Sequence, residues 1–327
     1  LHEKSRGLGD VYKRQVRARV TGEPLSSPDH GDAAVWPAVA AILAFLWYEL
    51  AYHSAVSPRS VGVFLTVYSV ALLTGGAVFG RGWVRSADGF GVLFSLLGAM
   101  APVHIDDDRR LRLRAPLAGL ATVPAVAGMV PFILVVLGAT TFDGFARSDL
   151  WAEIESERIE QAGGSIGWDV TMVRSLGLVA AIVVVGLAYT LAINLMAAIT
   201  GETAEELSPA FAPTLVPIVA AYAIAHYFGL LVLTGQRVII HLSDPYGRGW
   251  DLFGTRDHDI DWQLVSSDTI AWVQTVAIAV GHVLAVAAAH DRAVSRYPHD
   301  LAVKSQYPML GVMVLYTVMG LLLLLGA

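Results

Sequence analysis

Apolar runs of about 20 residues recur along the chain, at 34–53, 60–80, 115–138, 174–199, 213–236, 269–290 and 307–326, with short polar stretches between them. A helix of roughly 20 residues matches the hydrocarbon thickness of a bilayer. In lipid only a helix or a closed barrel satisfies its own backbone. The pattern therefore predicts an all-α, polytopic transmembrane helix bundle of about seven spans. One further stretch, 88–103 (DGFGVLFSLLGAMAPV), is apolar but too short for an ordinary crossing. It predicts one short interfacial or re-entrant helix, with the interfacial form as the default. If it crosses, every later orientation inverts.

The two ends of the pattern differ. Residues 1–15 stand outside it: the string at 5–15, SRGLGDVYKRQ, resembles translated read-through of a sequencing adapter and is set apart from fold reasoning. Residues 16–33 form a polar lead-in without hydrophobic period, and 34–327 reads as a single transmembrane helical domain. Hydrophobic residues make up 55% of the chain and charged residues 15%, against about 25% charged in soluble domains. The absence of cysteine excludes disulfides and thiolate chemistry. The net charge of −6 is carried by acidic loops, and no basic face with interleaved aromatics supports nucleic-acid binding.

Basic residues set orientation. Arg81, Arg85, Arg109, Arg110, Arg112 and Arg114 crowd the segment between the second and third runs, which is therefore expected on the cytoplasmic side. The acidic loop at 139–173 falls outside, and 291–306 falls inside. The expected protein sits in a prokaryotic plasma membrane, with its visible N-terminus inside and C-terminus outside.

Ionisable residues within spans are expensive and mark candidate sites. His226 lies near the middle of the fifth run with Tyr222 one turn before it. His282 lies near the middle of the sixth at similar depth, and His290 with Asp291 closes that run. Adjacent helices would bring His226 and His282 together as ligands for a divalent transition metal such as zinc. His282 and His290 are eight residues apart, about 12 Å along an α-helix, too far to share one ion easily. Glu49, one turn before His53 at the end of the first run, completes the candidate catalytic set of His226, His282, His290, Asp291 and Glu49. Against this stands the plainer reading, in which each histidine bonds a neighbouring helix and holds the bundle together.

Two loops add turn chemistry: TTFDGFARSDLW at 140–151 and LSDPYGRGWDLFGT at 242–255. The second is expected to fold as a lid over an outward-facing cavity, with Asp143, Asp244 and Asp251 as polar groups. TTFDGF at 140–145, AHYFGLLVLTGQ at 225–236, SDPYGRGWDLFGT at 243–255 and GHVLAVAAAHDRA at 281–293 together resemble a family of prokaryotic integral-membrane proteins, actinobacterial and haloarchaeal, often labelled fenitrothion hydrolase. The resemblance implies a shared membrane fold, with His226, His282, His290 and Asp291 in its recurrent strings. The label implies cleavage of an organophosphorus ester.

Three functions stay open at this point. One is a membrane-embedded, metal-assisted hydrolase, with Glu49 or Asp251 as a third ligand and a small-molecule substrate entering from the external face. Another is a transporter, or a membrane subunit of one, that uses midplane histidines for ions, metals or protons. The last is a structural membrane subunit. A Gly-x-Ser-x-Gly nucleophile turn and a P-loop are both absent.

Overall fold

The computed structural model describes residues 34–105, 110–161, 163–164 and 166–325. The adapter-like string and the polar lead-in lie outside the described residues. The chain is a multi-pass helical membrane protein. Among the described residues five helices are long and apolar enough to cross a bilayer, or six if one bent pair counts as a span.

The chain starts with α1 (Trp36–Leu50), α2 (Pro58–Phe79), α3 (Arg81–Ala87) and α4 (Gly89–Ala99). At 15 residues α1 is shorter than its apolar run, because the chain turns after Leu50. The 88–103 stretch resolves into the 11-residue α4, about 16 Å long and far short of a ~30 Å hydrocarbon core. Its ends are closed by side chains. Asp88 accepts from the Phe90 amide at 3.1 Å and from the Tyr68 hydroxyl at 2.6 Å. Arg114 donates to the carbonyls of Gly98, Ala99 and Ala101, which a helix end otherwise leaves unpaired. A small antiparallel hairpin follows, β1 (Val103–Ile105) with β2 (Leu111–Leu113), pairing His104 with Arg112. It is an addition to the all-α expectation.

The third run does not form the expected span at 115–138. Residues 115–128 are irregular apart from a 3-10 turn at Ala118–Thr122. Pro116, Pro124 and Gly128 (φ +92°) interrupt the run. The helix α5 begins at Met129 and runs to Phe145, then bends by 79° into α6 (Asp149–Gln161). The string TTFDGF therefore closes a helix instead of opening a loop.

The remainder comprises α7 (Trp168–Thr200), α8 (Ala204–Phe211), a 3-10 turn, α9 (Val216–Gly229), a π-helical turn (Leu230–Thr234), α10 (Gln236–Ser243), α11 (Ser267–Val294) and α12 (His299–Leu325). From α8 to α10 the chain forms one span-length helical unit, Ala204–Ser243. The π turn is closed by the Gly235 amide on the Leu230 carbonyl at 3.0 Å. A Cβ at Gly235 would lie 2.0 Å from the Leu231 carbonyl oxygen, so this turn requires glycine.

The packed core lies at one end of the bundle. Phe132 and Ile133 from the start of α5 meet Ile193 and Met196 near the end of α7, with Leu207, Phe211 and Val216 around the α8–α9 junction. All are at most 1% exposed. Glycine permits close approach where helices cross: a Cβ at Gly138 would fall 2.4 Å from Ile182 Cα, and one at Gly281 2.2 Å from Ala221 Cβ.

Candidate functional site

At the opposite end of the bundle α5 and α9 join α11 and α12 around a cavity of about 130 Å³. Its wall combines the last turns of α5, the middle of α9, the first half of α11 and the last half of α12. Most of the wall is apolar, with Ile218, Ala221, Ile278 and Met319 among its residues.

The polar groups gather at one side. Asp143, in the last turn of α5, lies 2.9 Å from His226 Nδ1 through its Oδ2. The Tyr222 hydroxyl donates to the same carboxylate and stands 3.0 Å from His226 Nδ1. Arg147, one turn after Asp143, places Nη2 3.3 Å from Asp143 Oδ2 and 3.1 Å from His226 Nδ1. An ionised carboxylate only accepts and a guanidinium only donates. His226 Nδ1 thus faces an acceptor in Asp143 and a donor in Arg147: with Nδ1 protonated it bonds the carboxylate, and with Nδ1 bare it accepts from the guanidinium. The side chains of Asp143 and His226 are 15% and 20% exposed, so the contact is only partly reached by solvent.

His282 lines the same cavity from α11. Its Nδ1 lies 2.8 Å from the Ile278 carbonyl oxygen, which can only accept, so this ring has Nδ1–H and a basic Nε2. Among the described residues that Nε2 is buried without a hydrogen-bond partner. Beside it the Tyr316 ring packs at 5.7 Å, and the Tyr316 hydroxyl bonds Thr141 Oγ1 at 2.5 Å. Gln274 uses its amide to donate to the Ala225 carbonyl at 3.1 Å, tying α11 to α9.

His226 and His282 thus both line one cavity. Each has Nδ1 within hydrogen-bond distance of a carbonyl or carboxylate oxygen, an arrangement common in metal-bound histidines. The ligand set nevertheless does not fit a zinc site. Among the described residues no three His, Cys, Asp or Glu side chains converge to hold a metal ion, and a zinc site takes at least three protein ligands. His226 and His282 alone fall short of that number.

The other candidates lie elsewhere. His290 and Asp291 are exposed at the far end of α11, where His290 Nδ1 lies 3.2 Å from Gln306 Oε1. Glu49 is half-buried at the end of α1 and accepts from the Tyr227 hydroxyl at 3.3 Å. It approaches the His226 side of the cluster but does not line the cavity. Its neighbour in the sequence pattern, His53, turns away to Thr171, with ring and backbone nitrogens at 2.9 and 3.1 Å from Oγ1.

The lid expectation is corrected as well: no residue of 242–255 contributes to the cavity wall. That segment folds on itself. Asp244 accepts from the amides of Arg248 and Gly249 at 2.8 and 2.7 Å, while Gly247, Gly249 and Gly254 occupy positive φ. The Arg256 amide and the Ser243 hydroxyl hold the Asp251 carboxyl below its ordinary value. Asp251 is therefore a turn-building group.

Sequence reasoning missed Arg147, Gln274, Thr141 and Tyr316, and had assigned Asp143 to a loop. One signal was available. Asp143 and Arg147 are four residues apart, as are Tyr222 and His226, so a helix carried through 140–147 would have set the first pair on one face. The chain matches no family model, no curated protein and no solved structure. The site must be read from its own geometry.

Proposed function

We propose that the chain is a membrane transport protein whose cavity admits a small, weakly polar solute and whose Asp143–His226 pair exchanges a proton with it. The observation that carries this reading is the 2.9 Å contact between Asp143 and His226 inside a cavity formed by bundle helices. Ionisable groups placed in this way mark solute and proton paths. The His226 ring takes up the proton, and Asp143 stabilises the imidazolium that results. Arg147 beside the carboxylate offsets its charge, so that the proton can leave again.

The rest of the bundle agrees with transport. The cavity ends on the packed half of the core, so passage across the membrane requires helices to shift. The π turn after His226 and the close glycine crossings at Gly281 and Gly138 are places where such shifts are accommodated. On the orientation expected from the basic segment at 81–114, the cavity opens to the external face. Reconstituted wild-type protein is expected to acidify the lumen of dye-loaded liposomes after an external acid pulse, and His226→Ala and Asp143→Asn to lose that response. Acidification no faster than in empty liposomes would sink the reading.

A second reading follows from the same dyad and from the sequence resemblance. A histidine oriented by a carboxylate is a general base, here for attack of water on an organophosphorus ester without a metal. Release of nitrophenolate from a nitrophenyl phosphotriester by wild-type protein, absent in His226→Ala and unaccompanied by proton movement, would replace transport by hydrolysis.

A further inference from the structure

The β1–β2 hairpin is built the wrong way round for water. Its register pairs Val103 with Leu113 and Ile105 with Leu111. Directly paired residues of an antiparallel ladder point to one face, as do residues two apart on a strand. These four apolar side chains therefore share a single face, and all are between 49% and 83% exposed. The opposite face carries His104 and Arg112. Among the described residues His104 Nδ1 is buried without a hydrogen-bond partner. A hairpin in water takes the reverse sense, with its apolar face inward and its polar face outward. Contiguous apolar side chains left outside mark a membrane or protein contact.

The hairpin is also fixed in place. At its base the Arg114 amide donates to the Pro102 carbonyl at 2.8 Å, and the Arg114 guanidinium closes the end of α4. Just beyond, the Leu117 amide donates to the Met100 carbonyl at 3.1 Å. The segment that follows leads to the start of α5 at Met129, and its Ala127 carbonyl accepts from the Val35 amide, just before α1, at 2.9 Å. The hairpin thus springs from helix ends, and Phe94 on the preceding α4 is exposed as well.

We propose that the hairpin is an interfacial anchor whose Val103, Ile105, Leu111 and Leu113 face rests on the acyl chains at the surface of the bilayer. Lipid is favoured over a protein partner because the chain already spans that bilayer, so the apolar surroundings of its helices continue to this face. Depth follows from the backbone. A two-stranded hairpin has two outer edges of unpaired N–H and C=O groups, and such edges do not occur in lipid-exposed hydrocarbon. Headgroups and water satisfy them. The hairpin therefore lies flat at the boundary between headgroups and acyl chains, as interfacial elements do. This role is independent of the transport reading.

The chain contains no cysteine, so a single introduced one carries a spin label at a chosen position. Ile105→Cys, Leu111→Cys and Leu113→Cys are labelled separately and reconstituted in phosphatidylcholine–phosphatidylglycerol vesicles. Collision with oxygen, which concentrates among acyl chains, is compared with collision with a water-soluble nickel chelate. The labels are expected to favour oxygen severalfold on both strands. Labels that meet the chelate more than oxygen put the face in water and overturn the inference. Labels shielded from both reagents put it against protein and overturn it too, with spin–spin broadening marking a second copy as the cover. The positions are read independently, so a variant that fails to fold leaves the others to decide.

Discussion

The two ends of the bundle share α5 and α9 and are held in different ways. Toward one end α5, α8, α9 and α7 present Phe132, Ile133, Phe211, Leu207 and Met196, all at most 1% exposed. Toward the other, α5, α9, α11 and α12 present Asp143, His226, His282 and Tyr316 around a cavity. Lipid chains are as apolar as leucine, so helices in a bilayer gain little from hydrophobic burial. The filled end is held by close packing. The open end is held by hydrogen bonds: Tyr222 to Asp143, Gln274 to the Ala225 carbonyl, and Thr141 with Tyr316. Helix α11 shows the contrast on one element, since His282 is enclosed by the cavity wall and His290 is exposed eight residues later. A bundle built in this way has a rigid half that can support an adaptable one.

The sharpest break of that comparison is to remove volume from each half. Phe211→Ala is expected to cost about 3 kcal/mol, the low end for core phenylalanines, because a lipid-embedded unfolded state also shelters the ring. Ile278→Ala, in the cavity wall, is expected to cost less than about 1 kcal/mol, since neighbours already leave space there. Unfolding in mixed micelles measures both. Equal losses would show that the halves are packed alike.

A smaller effect is expected where the halves meet. Gly281→Ala brings a methyl group against Ala221 and is expected to destabilise by about 1–3 kcal/mol through overpacking. Gly186→Ala has nothing within 4 Å to meet and is expected to gain up to about 1 kcal/mol from helix propensity. The same unfolding measurement compares them. The sign should reverse between the two glycines.

The smallest effect concerns a pair outside the spans. Glu202, after α7, accepts from Arg296, after α11, through Nε at 2.9 Å and also through Nη2. The Arg296 hydrogen bonds hold the Glu202 carboxyl below its ordinary 4.5. A depressed folded value means stability that is present above about pH 4.5 and lost as pH falls through the folded value. Both groups are partly exposed, which limits the effect to under about 1 kcal/mol. Glu202→Gln is expected to lower stability slightly at pH 7 and not at pH 3. An equal loss at both pH values would assign the effect to packing.

Much of the helical architecture was legible because hydrophobic length alone signals a span. The runs at 60–80, 174–199, 213–236, 269–290 and 307–326 each lie on a long helix over most of their length. The run at 115–138 misled because its total hydropathy concealed Pro116, Pro124 and Gly128, which shift the start of the helix to Met129. That displacement also hid Asp143 in a supposed loop. Half of the site was therefore readable, namely His226, Tyr222 and His282. The partners Asp143 and Arg147 depended on where α5 ends, and Gln274 and Tyr316 on which faces of α11 and α12 turn inward. Those faces carry no periodic signal, because lipid-facing and bundle-facing positions are both apolar.

Chain chemistry by itself determined that this protein lives in a bilayer, that it is helical there, and that a few costly imidazoles lie within its spans. Backbone hydrogen bonding in lipid permits little else for such apolar lengths. Only the folded arrangement decided that Asp143 meets His226, that His282 and His226 line one cavity, and that the 242–255 segment takes no part in its wall. Those outcomes turn on ångström-scale contacts between helices far apart in sequence, which no local pattern encodes.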